Sequence, residues 1–184
     1  MTSTSGEETH ELGRRGVIRA KHLLWKVLGS SIDLPFTAYD HAPKLTFPDT
    51  ETEGTSRFTF DLGGVLKRKD ATRMSGTEVV ELLVEVKASR SGDGLLHEYR
   101  EFLRRAAVAS LDDRHRDSWF IFLAQVPFGT TYGAALCNGD LLEECRQQWS
   151  QRLAAAARNL NERVTLIIAT DSFRRLLDLW GRDE

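Results

Sequence analysis

Three ionisable residues, Asp61, Glu85 and Lys87, have types and spacing that could do chemistry. The stretch ELLVEVKAS, residues 81–89, alternates as a buried strand: Glu81, Leu83, Glu85 and Lys87 share one face, and Leu82, Val84, Val86 and Ala88 the other. Two residues of strand rise set Glu85 and Lys87 roughly 6.5 Å apart, close enough for both to touch one ligand, metal or phosphate. Asp61 belongs to an earlier alternating run, RFTFDL, in which Phe58, Phe60 and Leu62 share a face opposite Arg57, Thr59 and Asp61. Pairing of these two strands would bring Asp61 beside Glu85, giving two carboxylates and an ammonium in one cleft. Oxygen ligands of this kind suit Mg²⁺ or Mn²⁺, hard cations that take one or two carboxylates, keep waters and accept phosphate oxygens. Such an ion activates water and neutralises phosphate charge, while Lys87 would orient the water or stabilise the transition state. The chemistry expected is phosphodiester hydrolysis.

The elements that must position these residues can be read in order. Residues 1–8 are rich in Ser, Thr and Glu and are expected to be a mobile tail, with 9–184 forming one domain. Apolar residues from Thr9 to Leu28 recur at helical spacing, with Thr9 as N-cap and Gly29 as stop. Gly13 and Gly16 weaken that helix, so either it starts later or its backbone closely approaches something there. Residues 30–56 hold Pro35, Pro43 and Pro48 and are expected to be loop, with a short strand near Phe36–Tyr39. The strand Arg57–Leu62 should end at Gly63-Gly64, and Val65–Gly76 should be an extended connection.

Beyond the Glu81–Ser89 strand, Leu95, Tyr99, Phe102, Leu103, Ala106 and Ala107 form one helical stripe. Trp119–Phe128 is apolar on both faces, as a central strand covered by helices would be. A helix capped by Asp140 and running past Leu160, a buried strand Val164–Thr170 and a short helix Ser172–Trp180 complete the series. Helices alternating with strands give an α/β layer fold with a mixed central sheet flanked by helices.

Composition sets the surroundings. The net charge of −2 argues against non-specific coating of nucleic acid, but cations cluster locally. Arg14, Arg15, Arg19, Lys21 and Lys26 crowd the first helix, and Lys67, Arg68, Lys69 and Arg73 the later connection. Cys137 and Cys145 are too few for a disulfide framework and lack ligand spacing. With no apolar run of about 18 residues and a polar N-terminus, the expectation is a cytoplasmic protein with no membrane partner.

FDLGG, residues 60–64, followed after a hairpin-length gap by VEVKAS, residues 84–89, resembles the PD-(D/E)xK (restriction-endonuclease-like) nuclease superfamily. GRRGVIRAKHLL, residues 13–24, is similar to the first helix of resolvase-like members. The resemblance covers roughly residues 8–126. It implies a core of helix, three strands, helix and strand, here with a C-terminal helix-strand-helix extension. It further implies a Mg²⁺- or Mn²⁺-dependent deoxyribonuclease acting in restriction, defence, repair or junction processing. Asp61 would be the motif aspartate, Glu85 the motif acid and Lys87 the motif lysine. Phe60 replaces the family's proline, and Val17 stands where many members carry a metal-assisting glutamate. Glu11, upstream, is the candidate substitute ligand.

Arg14, Arg15, Lys67, Arg68 and Lys69 are the candidates for contacting DNA phosphates. A homodimer or a protein partner is expected to set specificity. Other readings stay open on the residues alone. Glu85 and Lys87 also fit a solvent-facing pair on an antiparallel sheet, and Asp61 a strand-end turn acid. The chain could then be a catalytically inactive nuclease-fold subunit for nucleic-acid binding or protein assembly, or an α/β domain that binds small molecules or proteins. Gln125 could line the same cleft or merely hydrogen-bond at a strand end. His97 reads as solvated, Tyr99 as core, and His22, His41 and His115 show no ligand spacing. Trp25, Trp119, Trp149 and Trp180 read as packing.

Overall fold

A computed structural model describes residues 4–52, 55–69, 77–88, 94–126 and 141–170. Helix α1 runs Thr4–Leu28, so residues 4–8, expected as tail, are helical. Gly29, at φ +55°, ends it by entering the left-handed region that glycine adopts without steric cost. Strand β1, Ile32–Thr37, follows a short 3-10 turn. Helix α2, Ala38–Leu45, is capped by Thr37, whose Oγ1 accepts the Asp40 N–H at 3.2 Å.

The proline-rich segment is thus strand, helix and strand rather than loop, because each proline occupies a tolerated place. Pro35 sits at an irregularity of the edge strand β1, Pro43 follows a kink of α2 at His41, and Pro48 ends β2, Thr46–Pro48.

Strand β2 pairs with β3, Arg57–Thr59, in a separate two-stranded arm. The expected continuous strand Arg57–Leu62 is therefore broken. Phe58 and Phe60 enter one core while Leu62 enters the other, and the chain crosses between them at Asp61. Strand β4, Leu62–Lys69, pairs antiparallel with β5, Thr77–Ala88, along eight rungs from Leu62↔Val84 to Lys69↔Thr77. The expected connection is consequently strand as far as Lys69. Gly63 and Gly64 do not stop it; a Cβ on Gly64 would lie 1.9 Å from the Asp33 carbonyl oxygen, so glycine lets β1 approach there.

Helix α3, Leu95–Ala109, links β5 to a parallel neighbour β6, Trp119–Val126. Helices α4, Leu141–Gln148, α5, Gln151–Ala156, and α6, Leu160–Arg163, precede β7, Val164–Thr170, parallel to β6. One long helix was expected here; Ser150 breaks it by capping α5, its Oγ accepting the Leu153 N–H at 3.2 Å. Asp140 and the expected helix Ser172–Trp180 lie outside the described residues.

The result is a five-stranded mixed sheet in the order β1-β4-β5-β6-β7, with helices on both faces. One core joins Val17, Ala20, Leu23 and Leu24 of α1 to Leu82, Val84, Val86, Ile121 and Leu123. The other joins the expected α3 stripe, all of it buried, to Leu83, Phe120, Phe122, Ala124 and the arm residues Phe47 and Phe58. Strand β6 lies between β5 and the edge strand β7 and is buried on both faces, as its composition predicts. Trp25 departs from expectation: it is 54% exposed on α1. Among the described residues no helix is long and apolar enough to cross a membrane.

Candidate active site

The interruption between β3 and β4 is what places Asp61. Its N–H donates to the Val84 carbonyl at 2.9 Å, and its Oδ2 accepts the Val86 N–H at 2.7 Å. These two bonds bracket Glu85 on β5, so the Asp61 carboxylate is fixed beside that of Glu85. The neighbouring Ala38 N–H donates to the Asp61 carbonyl at 2.9 Å, fastening the first turn of α2 to the same point.

Glu85 is 3% exposed, a setting in which an ionised carboxylate needs partners. Its Oε1 receives two cations, Lys87 Nζ at 2.9 Å and Arg105 Nη1 at 3.3 Å. Lys87 also reaches Glu98 at 3.1 Å, and Arg105 is held by Glu101 while lying over the Phe58 ring. The other oxygen, Glu85 Oε2, is buried with no hydrogen-bond partner. Leaving such an acceptor unsatisfied costs about 1–3 kcal/mol, and more when it is charged.

The electrostatics follow from that crowding. Burial, then the neighbouring Glu85 carboxylate, pushes Asp61 up to about 7, against the Val86 N–H, Lys87 and Arg105, which favour its ionised form. Burial pulls the Lys87 ammonium down, but Glu85 and then Glu98 outweigh it, so its pKa is raised and it remains a cation at neutral pH. Below neutral pH Asp61 therefore keeps its proton, which a divalent cation would displace. Mg²⁺ needs only one or two carboxylates alongside water and phosphate, and Asp61 with the unpartnered Glu85 Oε2 meets that need.

Comparison with family models, curated proteins and solved structures finds no match for this chain.

Glu11 and Arg14 approach this centre through Tyr39, whose phenol senses Asp61, Arg14 and Glu11 together. Glu11 is engaged by Arg14 at 3.0 Å and Arg15 at 2.8 Å, which hold its carboxyl down at about 2. Among the described residues no group of three or more His, Cys, Asp and Glu side chains could hold a metal, so Glu11 does not complete a three-ligand cluster with Asp61 and Glu85. Arg14 and Arg15 are exposed on α1, each committed to Glu11. Lys67, Arg68 and Lys69 lie toward the far end of β4, the first of them about 20 Å from Asp61 by strand rise. Val17 is buried against the sheet.

Gln125 is on the opposite sheet face from Glu85. Its Nε2 donates to the Gly16 carbonyl at 2.8 Å, fastening α1 rather than lining the cleft. A Cβ on Gly16 would lie 3.1 Å from Ala88 Cβ, and one on Gly13 3.2 Å from the Tyr39 hydroxyl, so both glycines mark close approach rather than a later helix start. His97 is exposed and Tyr99 buried, as expected.

Sequence reasoning missed Arg105, Glu98 and Tyr39. Arg105 and Glu98 flank the apolar stripe of α3, a helical offset that could have flagged them as facing the Glu85 strand. Tyr39 had no such signal. It follows the residue bonded to the Asp61 carbonyl, and burial, then Asp61, raises its phenol pKa so that it stays a neutral donor.

Proposed function

We propose that this protein is a divalent-metal-dependent nuclease that hydrolyses DNA phosphodiester bonds, built on a PD-(D/E)xK-type core. The observation that carries this reading is the half-buried Asp61 carboxylate set beside the buried Glu85, one oxygen of which is unpartnered, next to an ammonium that stays charged. The element order helix, three antiparallel sheet strands, helix and parallel strand supports it, with α2 and the β2–β3 arm inserted after the first of those strands, Asp61 immediately before β4 and Glu85 on the adjacent β5.

In this reading Asp61 and Glu85 hold Mg²⁺ or Mn²⁺, which supplies Lewis-acid stabilisation of the phosphoryl oxygens when bound. The Val86 N–H fixes the Asp61 carboxylate, and Arg105 fixes Glu85 through Oε1 and leaves Oε2 for the cation. Lys87 acts as a cation, not as a base: it orients the attacking water and offsets charge on the phosphate as the transition state forms. Burial of the site excludes bulk water and strengthens each of these interactions. Arg14 and Arg15 of α1 with Lys67, Arg68 and Lys69 of β4 supply phosphate contacts that add affinity without sequence information.

Incubation with single-stranded, duplex and branched DNA and with RNA, with Mg²⁺ or Mn²⁺, tests the reading. Cutting of DNA that EDTA and Asp61→Asn each abolish is the expected result; no cutting of any substrate sinks it. One observation favours an inactive nuclease-fold subunit instead: Glu85 Oε1 already carries two protein cations. Calorimetric titration separates the two, since the subunit would bind no Mg²⁺ or Mn²⁺ in a manner dependent on Asp61 and Glu85.

A further inference from the structure

We propose a second site on this chain, a nucleotide-binding cavity on the same face of β5 that presents Glu85. The cavity encloses about 380 Å³ between α2 and the β2–β3 arm, the start of β4, and the turn after α3. That volume lies within the range of small-molecule sites. Pro43 and part of Phe36 give it its open apolar surface, with Phe47 and Leu83 almost wholly buried behind them.

Polar groups line it as fully as apolar ones, among them Glu81, His115 and Lys44. Glu81 projects from β5 into the cavity, and its Oε2 is bonded by His115 Nδ1 at 2.5 Å and by the hydroxyl of Ser118. Ser118 is 2% exposed, so the carboxylate is anchored from beneath by a buried group. Among the described residues no donor reaches Glu81 Oε1, which is left to accept from a ligand. Lys44 lies with its Nζ 4.1 Å from the Phe36 ring centroid and makes no ion pair among the described residues. Arg114, by contrast, is already paired with Asp112 at 2.9 Å.

A ligand matching these features has a small, mostly polar body, a hydrogen-bond donor for Glu81 and a negative group for Lys44. A nucleotide meets these requirements: its base lies against Pro43 and Phe36, an amino or ring N–H donates to Glu81 Oε1, and its phosphate meets Lys44. Two sources share that chemistry, a free nucleotide and a nucleotide within a strand. Glu81 lies four residues from Glu85, about 13 Å along the strand. On the nuclease reading, on which only this last step rests, a DNA strand crossing Asp61 and Glu85 could place a neighbouring nucleotide in the cavity.

The test is equilibrium binding to the full chain carrying Asp61→Asn, without divalent cation, so that a failure to cut cannot affect it. The four deoxynucleoside monophosphates, inorganic phosphate and a short single-stranded oligonucleotide are the probes. Binding of at least one monophosphate, weakened about tenfold or more by Glu81→Gln and by Lys44→Ala, is the expected result for a free-nucleotide site. Binding of the oligonucleotide alone, with the same two sensitivities, supports the strand-borne source. No binding, binding insensitive to both variants, or competition by phosphate as effective as by any nucleotide would overturn the proposal. Lys44 is exposed, so its variant is expected to fold and keeps the test meaningful if Glu81→Gln does not.

Discussion

Two glutamates four residues apart on one face of β5 have opposite surroundings. Glu85 is buried, carries Lys87 and Arg105 on one oxygen and nothing on the other, and faces a second carboxylate. Glu81 is partly exposed, anchored by His115 and Ser118, and lines a cavity that Lys44 also lines. Crowding like charges in a dry place stores a demand for a cation, whereas anchoring a single carboxylate at the edge of an open cavity prepares it to accept a hydrogen bond. The same residue type on the same strand is thereby suited to chemistry in one place and to recognition in the other.

The largest expected effect that could break this contrast is catalytic. Lys87→Ala should lower kcat for DNA cutting by about 10²-fold or more while circular dichroism stays unchanged. Glu81→Gln should instead raise KM with kcat nearly intact. If both variants changed the same parameter, the division between the two sites would not hold.

Next comes the pH dependence of the metal-free protein. Asp61 has a folded value of about 7, above the ordinary aspartate range, so the folded state holds its proton longer. Its contribution to stability is therefore fully present below the ordinary aspartate range and is lost as pH rises through about 7. Urea unfolding across that window in EDTA should show the decline, and Mg²⁺ should flatten it by replacing the proton. Glu85→Gln should shrink the decline without removing it, since burial is the larger cause; Glu81→Gln should leave it alone.

A smaller effect concerns the arm that walls the cavity. Arg104 bonds the buried Asp49 through both nitrogens, at 3.0 and 2.6 Å, and also holds Glu101. Arg104→Ala strands the Asp49 carboxylate and should cost about 2–4 kcal/mol in chemical denaturation. Nucleotide binding should weaken with it. The smallest effect is expected on the other sheet face: Gln125→Leu removes one hydrogen bond to the Gly16 carbonyl and one buried unpartnered oxygen. Thermal unfolding should change by no more than about 1 kcal/mol, and cutting not at all.

Much of this architecture was legible because it follows from periodicity. The α3 stripe, the two-faced apolar run of β6 and the alternation of Glu81–Lys87 each follow from a repeat of 3.6 or 2 residues, and each stands in the structure as read. Asp61, Glu85 and Lys87 were legible for the same reason, as charges set against an apolar pattern. The proline segment, the extent of β4 and the broken Arg57–Leu62 run were not. In each of them a contact remote in sequence overrides the local signal: β1 needs glycine at 64, β2 recruits β3, and the Val84 and Val86 backbone captures Asp61.

What the sequence by itself determined is that an acid and a lysine would lie side by side on one strand face, since two residues of strand rise leave no other arrangement. Only the tertiary structure decided what each acid is for. Pairing of β4 with β5 set Asp61 against Glu85, and packing of α3 brought Arg105 and Glu98 over them. The turn after α3 delivered His115 and Ser118 to Glu81. Charge state and partner choice depend on burial and on neighbours distant in the chain, and those are fixed only when the layers close.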